Sequence, residues 1–314
     1  MQRKSIIISI SSHKLNSAEE SLIKNQKPWG IILFERNIKS ISQLKNLTTR
    51  IRYIMKDPYY PILIDEEGGR VSRLNKIINT RQYSQNYFGK LFEKNSKTGK
   101  NFYFEYLNFI ISILKETGIN INTIPVLDIL KKNAHQIIGD RSYSKKTKTI
   151  NYLKKICFKI LNENKIGSVQ KHIPGHGRSN TDTHKKTSII NVPIKTLQDD
   201  FRMFKNNNSK FAMTAHIIYK QIDPINCVTH SKVMIKDIIR NRIGFKGILI
   251  SDDISMKALS KNLIFNATKS LESGCNLVLY CNGKLSESSA LLSKMNNIDS
   301  FTKKKTSEFY HFLR

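Results

Sequence analysis

The stretch Gly247–Ser251, GILIS, runs straight into Asp252-Asp253. An apolar run this short is consistent with a strand buried on both faces; its periodicity does not separate it from a helix fragment. It has an apolar body and a carboxylate end. Short apolar runs recur along the chain, in Ser5–Ser11 (SIIISIS), Gly30–Phe34 (GIILF), Ile62–Asp65 (ILID), Asn122–Leu127 (NTIPVL), Ser168–His172 (SVQKH), Phe211–His216 (FAMTAH) and Asn276–Tyr280 (NLVLY). With GILIS these runs number eight. Between them lie stretches of helical character, among them Ile41–Met55, Phe102–Glu116, Lys148–Asn162, Thr196–Lys205, Ser231–Arg242 and Asn266–Ser273. Strands alternating with helices predict a parallel α/β fold. Eight such repeats in 314 residues fit a closed (β/α)8 barrel of the TIM type better than an open sheet. No linker and no repeated motif divides the chain, so residues 1–314 read as one catalytic barrel domain. From Leu285 onward the chain is Ser- and Lys-rich and helix-compatible, and 285–314 reads as a peripheral helical tail. Lys303-Lys304-Lys305 reads as a solvated charge run within it.

Composition narrows the class. Hydrophobic residues make up 39% and charged residues 25%, enough for a large core and unlike a disordered chain. No apolar run approaches the roughly 18 residues of a membrane-spanning helix. The N-terminal run Ile6–Ile10 is too short for a signal-peptide core, and no small-residue cleavage site follows it. The expectation is a cytoplasmic protein without a membrane partner. Lys plus Arg is 53 against 24 for Asp plus Glu, a net charge of +29. Lys is spread along the whole chain with Ile and Asn, three residues whose codons are AT-rich. There is no zinc-finger spacing, no aromatic RNA-binding motif and no basic region with heptads, so no specific nucleic-acid partner is expected. Salt-sensitive association with polyanions is expected of such a charge. Cys157, Cys227, Cys275 and Cys281 form no CxxC pair and read as reduced packing residues.

Barrel active sites sit at the C-terminal ends of the strands. Five of the runs end in polar residues there: Asp65 followed by EEGGRVSR, Asp128, Lys171-His172, His216 and Asp252-Asp253. Any one such aspartate reads as an N-cap for the next helix; five together point to a functional rim. The densest stretch is Lys171–His184, KHIPGHGRSNTDTH. Its Pro174, Gly175 and Gly177 demand a non-helical loop, read here as a mobile one. Asp182-x-His184 puts a carboxylate where it can orient and charge an imidazole, as general acid/base chemistry requires. The rival reading is a metal site from His172, His176, Asp182 and His184, which spacing alone does not exclude. Asp252 is a candidate nucleophile or electrostatic stabiliser. Arg70 and Arg73 can pair with the neighbouring carboxylates or grip ligand hydroxyls.

The chain resembles the bacterial β-N-acetylglucosaminidases of glycoside hydrolase family 3, the NagZ type. The resemblance is carried by Ile31–Ile38 (IILFERNI), Ile64–Arg73 (IDEEGGRVSR), Pro125–Ile129 (PVLDI), Ile138–Ser144 (IGDRSYS), Lys171–His184, Met213–His216 (MTAH), Gly244–Met256 (GFKGILISDDISM) and Gly274–Leu279 (GCNLVL). It implies a retaining β-hexosaminidase that removes non-reducing N-acetylglucosamine from muropeptides in peptidoglycan recycling. It implies Asp252 as nucleophile, His184 as general acid/base and Asp182 as its partner. Asp65, Arg73, Arg141, Lys171 and His172 correspond to the residues that hold the sugar. No metal and no organic cofactor is implied, and a monomer is expected. The chain departs from the usual pattern with Asp-Thr-His in place of Asp-Ser-His and with DEEGG in place of DQEGG. The second change is expected to add negative charge near the sugar. Two other readings stand beside this one. Phosphate could replace water as acceptor, because an imidazole acid/base carries no negative charge. Alternatively, a basic barrel that has lost catalysis could bind polyanions.

Overall fold

A computed structural model describes residues 2–131, 136–179, 187–259 and 261–314. Eight strands close into a barrel in the order of the chain: β1 (Lys4–Ile8), β2 (Pro28–Leu33), β3 (Ile62–Ile64), β4 (Ile121–Asn122), β5 (Gly167–Ile173), β7 (Phe211–Thr214), β9 (Ile248–Asp253) and β10 (Leu277–Tyr280). Every pairing between them is parallel, from Ile31 opposite Ile62 to Val278 opposite Ile6. β6 (Ser188–Ile190) and β8 (Ile217–Tyr219) pair separately in the loops after β5 and β7. The protein is a single (β/α)8 barrel; seven of the eight expected runs overlap its strands over three or more residues, and Asn122–Leu127 shares only Asn122 with β4.

Alternation along the strands builds the two sides of the wall. Ile6, Ile8, Ile31, Leu33, Ile62 and Ile64 join the core between strands and helices. The residues between them, Ile7, Ile32 and Leu63, join Val169, Phe211 and Ile250 in a separate inner cluster. Strands covered on both faces read as continuous apolar runs, which is why these short segments stand out in the sequence. The outer ring comprises α1 (Ser17–Gln26), α2 (Ile41–Met55), α3 (Gln85–Lys94), α4 (Ser96–Glu116), α5 (Thr147–Glu163), α6 (Gln198–Met203), a π-helix (Met234–Ile243), α7 (Leu263–Ser273) and α8 (Leu285–Lys294). Among these helices, α1 and α3 match none of the segments named from sequence.

Residues 285–314 are not all peripheral. They form α8 and α9 (Ser300–Leu313), and α9 packs under the barrel. Phe309 is fully buried, its ring 5.0 Å from Phe211, and Trp29 Nε1 donates to Thr306 Oγ1 at 2.9 Å. The N-terminal end of the barrel is thus sealed with aromatic side chains, and the C-terminal end is left for chemistry.

Candidate active site

Asp65 directly follows β3, and Asp252 is the penultimate residue of β9. Lys171 and His172 lie on β5, where the register against β7 shifts between Lys171 and Ile173 and the Lys171–His172 peptide is cis. A register shift of this kind re-aims side chains, and here both consecutive residues line the same cavity. Arg141 comes from the turn Gly139–Arg141 after β4, and Arg73 from the loop after β3. These six residues line one cavity of about 170 Å³ at the C-terminal end of the barrel. That is smaller than the roughly 300–1,000 Å³ of sites for drug-sized ligands, and suits a single small ring.

The polar groups form a continuous network. Lys171 Nζ donates to Asp65 Oδ1 at 2.6 Å and to Thr123 Oγ1 at 2.9 Å, and lies 2.5 Å from Glu67 Oε1. An ammonium has three N–H groups, so Lys171 is fully engaged with two carboxylates and a hydroxyl. Arg73 Nη2 donates to the other oxygen of Asp65 at 2.7 Å. Its Nε is buried with no hydrogen-bond partner among the described residues. The Arg141 fork grips Glu67 with two bonds of 2.8 Å. Arg141 Nη2 also approaches His172 Nε2 at 3.2 Å. Guanidinium can only donate, so Nε2 accepts and the imidazole proton sits on Nδ1, 2.8 Å from Asp128 Oδ2.

Burial would raise the Asp65 carboxyl, but Lys171 and Arg73 hold it well below the usual range. Burial likewise opposes Arg141 and Lys171 at Glu67, and the cations again prevail. At Asp252 burial is outweighed by His216, His172 and the Asp253 N–H, so this carboxyl is also depressed and ionised at neutral pH. Among the described residues Asp252 accepts one hydrogen bond, at Oδ1 from the Asp253 amide at 2.8 Å, and Oδ2 is uncommitted. His216 is fully buried and donates from Nε2 to the Asp253 carbonyl at 3.0 Å, fixing the end of β9. Burial lowers its pKa, against the pull of the Asp252 and Asp253 carboxylates.

Asp182 and His184 lie outside the described residues. The flanks of that segment are held together, since Ser179 Oγ donates to Ser188 Oγ at 2.8 Å. Thr187 Oγ1 donates to the carbonyl of Ala258, in the loop that follows β9. Among the described residues no group of three or more His, Cys, Asp or Glu side chains could hold a metal ion.

One expectation needs correction. The extra carboxylate of DEEGG, Glu66, adds no charge to the cavity wall. It is buried and turned away, its Oε2 accepting from the Arg73 amide at 2.6 Å and its Oε1 from Thr80 at 3.0 Å. The glycines of the PGHG loop also act through packing: a Cβ on Gly177 would sit 1.9 Å from the carbonyl oxygen of Ile129. Two site residues were not assigned from sequence. Glu67 holds both Lys171 and Arg141, and Asp128 fixes His172. Asp128 was visible as a strand-end carboxylate, whereas only the folded loop shows which carboxylate of the Glu66-Glu67 pair faces inward.

Residues 3–308 match the family described as Glycosyl hydrolase family 3 N terminal domain. A β-hexosaminidase of Nitrosomonas eutropha is 31% identical over 284 residues, covering 88% of this chain and 80% of that protein. One from Neisseria meningitidis serogroup A is 30% identical over 287 residues, covering 89% of this chain and 78% of that protein. The crystal structure of NagZ from Neisseria gonorrhoeae in complex with N-trifluoroacetyl-D-glucosamine superposes with a TM-score of 0.87 at 28% identity, covering 100% of this chain and 91% of that one. No helix among the described residues is long and apolar enough to cross a membrane.

Proposed function

The chain belongs to glycosyl hydrolase family 3 and is a β-N-acetylhexosaminidase of the NagZ type, and from this premise we propose a retaining exo-enzyme that removes non-reducing N-acetylglucosamine from muropeptides in peptidoglycan recycling, working as a cytoplasmic monomer. The observation that carries the reading is the uncommitted, ionised Asp252 carboxylate lining a one-ring cavity with Asp65, Arg73 and Arg141. The gonococcal relative's complex with an N-acylated glucosamine supports the same sugar class.

In this reading Asp252 attacks the anomeric carbon as the bond to the leaving oxygen breaks. The His184 imidazolium, held by Asp182, gives its proton to that oxygen. The resulting neutral imidazole then takes a proton from water, whose oxygen attacks the anomeric carbon and frees Asp252. Asp65 accepts from sugar hydroxyls, and Arg73 and Arg141 donate to sugar oxygens. Lys171 and His172 line the same subsite, with Lys171 keeping Asp65 ionised and His172 fixed between Asp128 and Arg141. Such groups reject analogues that leave them unpaired.

The test is release of 4-nitrophenol from its β-N-acetylglucosaminide at neutral pH with chelator present. Asp252→Ala is expected to lose about 10³-fold or more in kcat. Nitrophenolate leaves without protonation, so His184→Ala is expected to keep a first-turnover burst and lose steady-state rate. Wild-type activity retained in Asp252→Ala, or abolished by chelator, refutes the mechanism.

A further inference from the structure

Glu66 is 2% exposed and forms no ion pair with Lys or Arg among the described residues. Burial pushes its carboxyl up. What surrounds it is a set of donors from one loop. Oε2 accepts from the backbone N–H of Arg73 at 2.6 Å, the N–H of Leu74 at 3.1 Å and Ser72 Oγ at 3.2 Å. Oε1 accepts from Thr80 Oγ1 at 3.0 Å. The backbone of Glu66 is fixed to the barrel wall. Its N–H donates to Asn122 Oδ1 at 3.1 Å, and its carbonyl accepts from Asn122 Nδ2 at 3.0 Å. Asn122 belongs to β4.

Two adjacent residues therefore hold the two ends of Arg73. Glu66 holds its backbone amide and Asp65 holds its guanidinium. The guanidinium also rests 5.2 Å from the centre of the Phe34 ring, which lines the cavity. Asp65 and Phe34 can align the guanidinium only if the Arg73 backbone starts from the right place. The carboxylate is an acceptor-only group able to receive several donors at once, which is what a loop turning back on itself supplies here.

We propose that Glu66 is a positioning residue for sugar binding: by gathering the amides of Arg73 and Leu74 onto a carboxylate anchored to β4, it sets where the Arg73 guanidinium stands in the cavity. The proposal rests on the reading of Arg73 as a sugar contact.

The experiment is a double-mutant cycle on KM and kcat for the 4-nitrophenyl glucosaminide, using wild type, Glu66→Ala, Arg73→Ala and the double variant. Arg73→Ala is expected to raise KM about 10-fold or more, and Glu66→Ala to raise KM by a similar factor with a smaller change in kcat. In the Arg73→Ala background, Glu66→Ala is expected to add less than about twofold. Glu66→Gln keeps one carbonyl oxygen for the two amides and recovers most of the loss. If Glu66→Ala fails to fold, Thr80→Val, which removes the donor to Oε1, is run through the same cycle with the same expectation. A KM factor that is equal in both backgrounds overturns the proposal while leaving Arg73 a sugar contact. An unmoved KM in Arg73→Ala removes both that assignment and the role of Glu66.

Discussion

Asp128 gathers three N–H groups on one carboxylate: the His172 amide, the His172 Nδ1 and, at 2.6 Å, the His176 amide. Burial would raise its carboxyl, but the His172 and His176 contacts hold it low. The consequence is a fixed imidazole orientation, with Nε2 turned to Arg141. Asp128→Asn keeps the volume but replaces one acceptor oxygen with an NH2 that faces donors. The His172 ring must then turn or change tautomer, and Arg141 loses its neighbour. We expect kcat/KM to fall about 10- to 100-fold, by analogy with the outer-shell partners of metal-ligating histidines, with the protein still folded. Unchanged kcat/KM in Asp128→Asn would show that the orientation of His172 is immaterial. The same logic explains why sequence reading found the His172 position but not its support: an aspartate after a strand is as often a cap as a ligand to a neighbour, and only the fold brings residues 128 and 172 together.

At the scale of elements, the helices differ in how much they owe to tertiary packing. In α2 the residues Leu44, Leu47, Thr48 and Ile51 are buried at helical spacing, and the segment is legible from Ile41 to Met55. In α1 only Glu19 and Ile23 are buried. Its definition comes from Asn16, which caps the Glu19 amide at 2.9 Å while Glu19 reaches back to the Asn16 amide at 3.1 Å. Asn16→Ala should therefore destabilise by about 1 kcal/mol. It should also speed amide hydrogen exchange in α1 while exchange in α2 stays unchanged. Uniform exchange across both helices would refute the capping argument. This contrast marks the limit of the sequence reading. The strands were legible because burial on both faces makes them continuously apolar, and α2 because one face is a stripe. α1 and α3 were passed over because few of their residues are buried: Gln85, Phe88 and Gly89 in α3. At the site, the aspartates, Arg73 and Lys171-His172 were legible from strand ends and family pattern. The roles of Glu66 and Glu67 were not, because adjacent residues on a turning loop can face opposite ways.

At the scale of the whole molecule, two electrostatic effects act on stability and respond differently to salt. The net charge of +29 makes the folded chain repel itself, a long-range effect that salt screens. Buried titrating groups act locally. Burial lowers His176 from 6.5 to about 4, and it is 3% exposed. The unfolded chain then binds a proton that the folded chain refuses, so stability is lost as pH falls from about 6.5 toward 4, a loss of about 2 kcal/mol by pH 5. Asp65, Glu67, Asp128 and Asp252, held low, add stability above their unfolded pKa values near 4 and lose it only below that. Glu66 and Asp253, raised by burial, work in the opposite direction as they protonate. His216 and His230, also lowered by burial, act in the same direction as His176, so the window between pH 7 and pH 5 reports the buried imidazoles as a group. Thermal unfolding at these two values is expected to show Tm lower by about 4 °C or more at pH 5. Raising salt from 0.05 to about 0.5 M should lift Tm at both values, because it shortens the screening length severalfold. The pH difference should survive that change, since His176, His216 and His230 are shielded from ions by the protein around them. If high salt removes the difference, the acid loss comes from added surface charge rather than from the buried histidines.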